Sequence, residues 1–263
     1  MLNYATFAGL FIIVVICILI IISPNALFLP MRDHIMTPNY DEERYIPSSN
    51  GNVLHCWKFK GKEDKPMVLY YHGNAGNISY QYRVIELFRS YGIGLFLVDY
   101  SGYGKSTGSI NPRQLLEDAD TAYNYLRKYV PSNNIVVWGE SMGGAAASYI
   151  ASYRPCKALV LLSTFSNVGD VMKLRESSGW LSTCIGDISN YLFVVLSVEG
   201  YLREVRTKVI IIHSRKDQLI PLLCSIKNYQ AIPHTNKLYL AIEGGHNTPI
   251  LTGKIMESIE RFW

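Results

Sequence analysis

The sequence predicts an α/β domain with a mostly parallel central sheet and helices on both faces, preceded by one N-terminal transmembrane helix. Two observations carry this. Short apolar runs such as Met67–Tyr71, Gly94–Val98 and Ala158–Leu162 alternate with segments of helical character, the pattern of strands buried on both faces by crossover helices. Before them no charged side chain appears until Arg32, leaving a leader with no polar face to turn towards water.

Taken in order, residues 2–22 would span roughly 30 Å as a helix at about 1.5 Å per residue, enough for a bilayer's hydrocarbon core. A cleaved secretory signal would instead carry Lys or Arg at its start, a shorter apolar run and a small-residue cleavage site, and the leader lacks all three. Residues 1–23 are therefore read as a single-pass anchor of the type II signal-anchor kind, with the bilayer as its partner. Arg32 and Arg44 are offset by Asp33, Asp41, Glu42 and Glu43, so charge bias assigns no orientation. Residues 24–45, with Pro24, Pro30 and Pro38, form an irregular connector, and the domain occupies 46–263.

A pair of strands at 44–47 and 53–59 brackets the turn-prone Ser-Ser-Asn-Gly-Asn. Buried strands then fall at 67–71, 94–98, 135–138, 158–162, 209–212 and 238–242. Helices fit 80–91 and 112–129, the second with Asn111 as cap and Pro112 in the first turn, and 249–263 reads as a closing helix. Residues 163–206 form an insertion holding Phe165, Trp180 and an apolar stretch at 191–196, placed to cap a site or to cover the sheet edge. That stretch is too short for a second span.

Composition narrows the classes. With 263 residues, 49% hydrophobic and 17% charged, the chain fits one substantial domain and excludes disorder, collagen and coiled coil. The net charge of +4 is scattered, so nucleic acid is not an expected partner. Five cysteines without a C-x-x-C pair suggest neither a zinc site nor a disulfide framework. No cofactor and no metal are implied. No repeat is visible either, which removes solenoids and propellers.

The sharpest motif is Gly139-Glu140-Ser141-Met142-Gly143, directly after an apolar strand and before Gly144-Ala-Ala-Ala-Ser148. Gly-x-Ser-x-Gly alone is common; a strand-turn-helix context makes it a nucleophile elbow, in which a strained turn lifts the serine hydroxyl above the sheet. Such a serine needs a base held by a carboxylate. His246, after the last strand in Glu243-Gly-Gly-His246, and Asp217, after the 209–212 strand, supply both in the chain order Ser, Asp, His. Asp170 and Asp187 are reserves for the acid. His34, His55, His72, His213 and His234 read as structural, and Asp99 precedes the nucleophile and reads as a loop hydrogen-bonding residue. An oxyanion needs backbone donors: Met142 offers one, and the loop His72-Gly-Asn-Ala-Gly-Asn77 the other, with Asn74 the best single choice.

These motifs, with Val98-Asp-Tyr-Ser-Gly-Tyr-Gly-Lys-Ser106, Asp217-Gln-Leu-Ile-Pro221 and Gly245-His-Asn247, resemble the alpha/beta hydrolase domain-containing protein 13 branch of the serine hydrolases. The likeness runs in order from about residue 23 to the C-terminus and includes the single N-terminal anchor. It implies an alpha/beta hydrolase fold and the triad Ser141, Asp217 and His246. Depalmitoylating thioesterases and lysophospholipid lipases in the wider group imply an acyl ester or thioester substrate, in a lipid or a lipidated protein. Ser101 and Glu140 depart from the basic residues common at those positions. The rival functions are a peptidase or small-ester hydrolase using the same triad, and a non-catalytic membrane-tethered binding module, which would have no need of all three side chains. The sequon Asn77-Ile-Ser79 lies in the oxyanion loop, where a glycan would obstruct the site.

Overall fold

The computed structural model describes residues 27–167, 170 and 195–263. The 1–23 anchor lies outside them, as does most of the 163–206 insertion, including Trp180 and Asp187. Among the described residues no helix is long and apolar enough to cross a membrane.

The strands are β1 (Glu42–Pro47), β2 (Val53–Phe59), β3 (Met67–Tyr71), β4 (Gly94–Val98), β5 (Ile135–Glu140), β6 (Ala158–Leu162), β7 (Lys208–Ser214) and β8 (Lys237–Ile242). They form one 8-stranded sheet in the order β8-β7-β6-β5-β3-β4-β2-β1. β2 pairs antiparallel with both β1 and β4, and every other pairing is parallel. The helices are α1 (Tyr82–Ser90), α2 (Pro112–Leu126), α3 (Gly143–Tyr153), α4 (Val198–Leu202), α5 (Leu222–Ala231) and α6 (Gly253–Phe262).

Period-two alternation splits the core between the two faces. Leu69, Tyr71, Phe96 and Val137 pack with Leu115 and Ala119 of α2 and Ala146 and Ile150 of α3. Val68, Tyr70, Val136 and Trp138 pack with Ile85 and Phe88 of α1 and Met256 and Ile259 of α6. Because both faces are covered, β3, β4 and β6 read as unbroken apolar runs, and their bounds match the sequence expectation.

Other bounds move for local reasons. β5 extends past Trp138 because Glu140 pairs with Leu162, and β7 reaches Ser214 because it pairs with Ile242. The helix expected from residue 80 starts at Tyr82, since Asn77 caps a short 3-10 turn at Ile78–Tyr80 first. α2 is capped by Asn111, whose side chain accepts the Gln114 N–H at 2.9 Å. The closing helix starts only at Gly253 behind its Thr252 cap, because Pro249 is taken up in a pairing of Gly244–Gly245 with Thr248–Pro249.

The segment expected to be an irregular connector, 24–45, gives up residues 42–45 to β1, which starts at Glu42 because Glu42 and Glu43 pair with Lys58 and Trp57, and residues 27–41 lie as a strap along the domain. Leu29 and Pro30 pair with Ala75 and Gly76, and the buried Asn77 donates to the Met31 and Asp33 carbonyls at 3.0 and 2.9 Å. Buried with its amide occupied, Asn77 is not open to a glycan in the folded chain.

Asp118 of α2 is buried beneath the loop after β4, accepting from the Ser101 N–H at 2.6 Å, the Ser101 hydroxyl at 3.0 Å and the Gln114 amide at 2.7 Å. Burial outweighs these bonds and pushes its carboxyl up to about 6. A folded value above the unfolded one contributes stability that is fully present below about pH 4 and lost as pH rises to about 6. Relative to Asp118→Asn, the native chain should therefore lose about 2 kcal/mol between pH 4 and pH 7. Urea unfolding of both proteins at the two pH values measures this, and a pH-independent difference would refute it.

Candidate active site

Ser141 follows β5 directly, with φ 51°, a left-handed conformation that costs a non-glycine residue about 1–2 kcal/mol. The flanking glycines show how the turn is packed. A Cβ at Gly139 would strike the Gly143 carbonyl and the Gly144 Cα, one at Gly143 would meet the Tyr71 carbonyl, and one at Gly144 would overlap Thr164. The Thr164 hydroxyl donates to the Ser141 carbonyl, and the Ser141 N–H donates to the Leu162 carbonyl at 2.9 Å.

The sheet brings the two other expected side chains to this serine. His246 and Asn247 form the tip of the turn between Gly244–Gly245 and Thr248–Pro249, which the Ser214 hydroxyl fastens through the Gly244 carbonyl. His246 Nε2 lies 2.9 Å from Ser141 Oγ, and His246 Nδ1 lies 2.7 Å from Asp217 Oδ2. Asp217 Oδ1 accepts the Leu219 and Ile220 N–H groups at 2.9 and 2.8 Å. Burial would raise the Asp217 carboxyl, but the His246 hydrogen bond and these amides hold it below its ordinary value. It therefore stays an acceptor for the ring, whose Nδ1 proton leaves Nε2 free to receive the serine hydroxyl.

The loop after β3 lies against the serine, where a Cβ at Gly73 would sit 3.5 Å from the Ser141 Cβ. Asn74 is held by its side chain, which accepts the Leu29 N–H at 3.0 Å and donates to the Leu27 carbonyl at 2.7 Å. The Tyr103 hydroxyl donates to the Asn74 carbonyl at 2.8 Å, and the Tyr100 hydroxyl donates to the His72 carbonyl at 2.8 Å. Among the described residues nothing accepts a hydrogen bond from the backbone N–H of Asn74 or of Met142, so both donors are available to a ligand.

A cavity of about 610 Å³ opens over these atoms, lined by the apolar Leu29, Met31, Leu219 and Ile220 and by the polar Asn74, Ser141 and His246. Glu140 lines it too and accepts a hydrogen bond from Tyr70. Burial raises the Glu140 carboxyl, while Tyr70 and the charge of His246 pull it back.

Of the other acids and histidines singled out in the sequence, His234 has both ring nitrogens buried without a hydrogen-bond partner among the described residues, and the rest that are described are engaged elsewhere. Asp170 is tied to Ser166, Asn167 and Lys227. His213 Nε2 is 3.0 Å from the Ile220 carbonyl, bracing the Asp217 loop. Asp99 is buried among His55, His34 and His72, 3.1, 3.7 and 3.7 Å away, and accepts the Ile78 N–H at 2.8 Å. His34, His55 and Asp99 each offer a ligand atom, all within 4.8 Å of one another. His55 already has a carboxylate at each ring nitrogen, Asp99 at 3.1 Å and Glu43 at 2.8 Å, so a cation there would have to displace an existing contact. Thr164, Tyr70 and Ser214 had no sequence signal, each being one hydroxyl in an ordinary strand or strand end. Tyr100 and Tyr103 stand inside a motif already singled out, though nothing in it said what they hold.

The strand order, with a serine turn after β5, an acid loop after β7 and a histidine loop after β8, defines the α/β-hydrolase class. A family model described as alpha/beta hydrolase fold matches residues 66–182. A protein of Acanthamoeba polyphaga mimivirus, R595, is 30% identical, the match covering 88% of this chain and 88% of the relative. Membrane protein YNL320W of Saccharomyces cerevisiae is 28% identical over 88% of this chain and 84% of its own. Among solved structures, the Pyrococcus furiosus esterase Pf2001 superposes with a TM-score of 0.68 at 20% identity, over 89% of this chain and 96% of that one. The chain belongs to the alpha/beta hydrolase family.

The strain at Ser141 is open to measurement. Ser141→Gly and Ser141→Ala both remove the hydroxyl, but only alanine keeps the Cβ that disfavours φ 51°. The glycine variant should be the more stable by about 1 kcal/mol in urea unfolding, reversing the usual order of the two residues; equal stabilities would show an unstrained turn.

Proposed function

We propose that the chain is a membrane-tethered serine hydrolase that cleaves an acyl ester or thioester through a Ser141–Asp217–His246 triad and an acyl-enzyme intermediate. The hydrogen-bonded chain from Ser141 Oγ through His246 to Asp217, at 2.9 and 2.7 Å, carries the reading. Ser141 Oγ attacks the substrate carbonyl as His246 Nε2 takes its proton, and Asp217 holds the ring and stabilises the imidazolium. The N–H groups of Asn74 and Met142 receive the oxyanion. His246 then gives its proton to the leaving alkoxide or thiolate, and water repeats the sequence on the acyl-enzyme. The apolar residues lining the cavity support an acyl group as the substrate part bound there. The charge-free leader supports a membrane tether, as does the membrane label in the name of the Saccharomyces cerevisiae relative.

A fluorophosphonate probe should label the native chain and leave Ser141→Ala unlabelled. Turnover of the best ester or thioester from a competition panel should fall by about five to six orders of magnitude in that variant. No label on folded native protein defeats the catalytic reading, and equal labelling of Ser141→Ala defeats the choice of nucleophile.

A further inference from the structure

We infer that the rim of the active-site cavity is a bilayer-docking surface through which an acyl lipid enters from the membrane itself. This rests on the reading of the leader as an anchor, and it adds a face and a route of entry.

The path of the chain places the mouth. The charge-free apolar run ends at Ile22, and by Leu27 the backbone is already bound to the Asn74 side chain. Five residues reach at most roughly 18 Å when fully extended. The headgroup layer on one side of a bilayer takes up about 5–8 Å of that. The strap then runs on as Leu29–Pro30 beside Ala75–Gly76, so the loop that would bind the oxyanion is the part of the domain nearest the anchor.

The surface around the mouth carries exposed apolar side chains beside polar ones such as Asn247. Leu29, Met31 and Leu219 line the cavity yet are 59%, 45% and 40% exposed. One turn further along the chain, Leu222 and Leu223 at the start of α5 are 38% and 43% exposed. Single exposed apolar residues need no explanation, but a group around one opening marks an interaction surface. No Lys or Arg lines this cavity among the described residues, so nothing there recognises the phosphates of a soluble acyl carrier. An acyl chain already in the leaflet needs no such recognition and would slide from one apolar phase into another.

The test uses the full chain reconstituted in phosphatidylcholine vesicles, with an environment-sensitive fluorescent amino acid placed in turn at Met31, Leu223 and Tyr129. Tyr129 is the control, being 65% exposed and at the opposite, amino-terminal edge of the sheet beyond α2. Nitroxide-labelled lipid should quench positions 31 and 223 at least about twofold more than position 129, and aqueous iodide should do the reverse. Iodide quenching of all three alike overturns the inference. So does shielding of 31 and 223 from both quenchers, which would make the chain's own 163–206 insertion the occupant. If the chain fails to float with the vesicles, the anchor reading falls and this one with it; if it floats with the rim unquenched, only this one falls. Fluorophosphonate labelling in the same vesicles reports on the hydrolase reading separately. As a second arm, Leu222→Glu with Leu223→Glu should cut turnover of a vesicle-embedded long-chain ester about tenfold while a soluble short-chain ester stays within about twofold; equal loss on both would refute bilayer docking.

Discussion

The site depends on one backbone conformation, the left-handed turn at Ser141. Strand β5 must end and α3 begin within three residues, so the chain reverses where the Tyr71 carbonyl of β3 and Thr164 beyond β6 already crowd the space. Only glycines at 139, 143 and 144 let it pass. The strain, of order 1–3 kcal/mol, persists because neighbouring strands hold the turn from both sides. The Ser141 N–H is taken by the Leu162 carbonyl at 2.9 Å and its own carbonyl by Thr164. Ser163, at the end of β6, also has a positive φ of 47°, so two adjacent strands leave the sheet by the same kind of turn.

Given that turn, the partners of the serine are placed by buried hydroxyls more than by apolar packing. Tyr100 and Tyr103 fix the loop after β3, Ser214 fixes the histidine hairpin, and Tyr70 fixes Glu140. Each such bond contributes only about 0.5–1.5 kcal/mol net, whereas a buried polar group left unpaired costs about 1–3 kcal/mol. That asymmetry makes the network specify geometry strongly while contributing modestly to stability. It also explains an apolar sheet that ends in loops rich in tyrosine, serine and glycine.

How legible each part was follows from the same physics. β3, β4 and β6 could be bounded to the residue because burial on both faces leaves a local mark, a continuous apolar run. That Ser141, Asp217 and His246 would meet could be read because each follows its strand within a few residues, and the sheet needs no further information to bring strand ends together. The extensions of β5 and β7 could not, since Glu140 and Ser214 are polar and join the sheet only through their partners Leu162 and Ile242. The strap was illegible for a stronger reason. Residues 27–41 have no period and two prolines, and their conformation is dictated by side chains of Asn74, Asn77 and Ser79, more than forty positions away in the chain.

That strap supplies one of the two kinds of attachment that hold Asn74. Its side chain is committed to Leu27 and Leu29, and its carbonyl to Tyr103, while its N–H remains free among the described residues. A residue fixed at side chain and carbonyl cannot reorient its amide without breaking several hydrogen bonds at once, so the donor is preorganised, which is what oxyanion stabilisation requires. Two of those bonds come from the segment that joins the domain to the leader. The loop geometry and the path of the strap are therefore a single structural unit: pulling the strap away would free the Asn74 side chain and, through it, its backbone N–H.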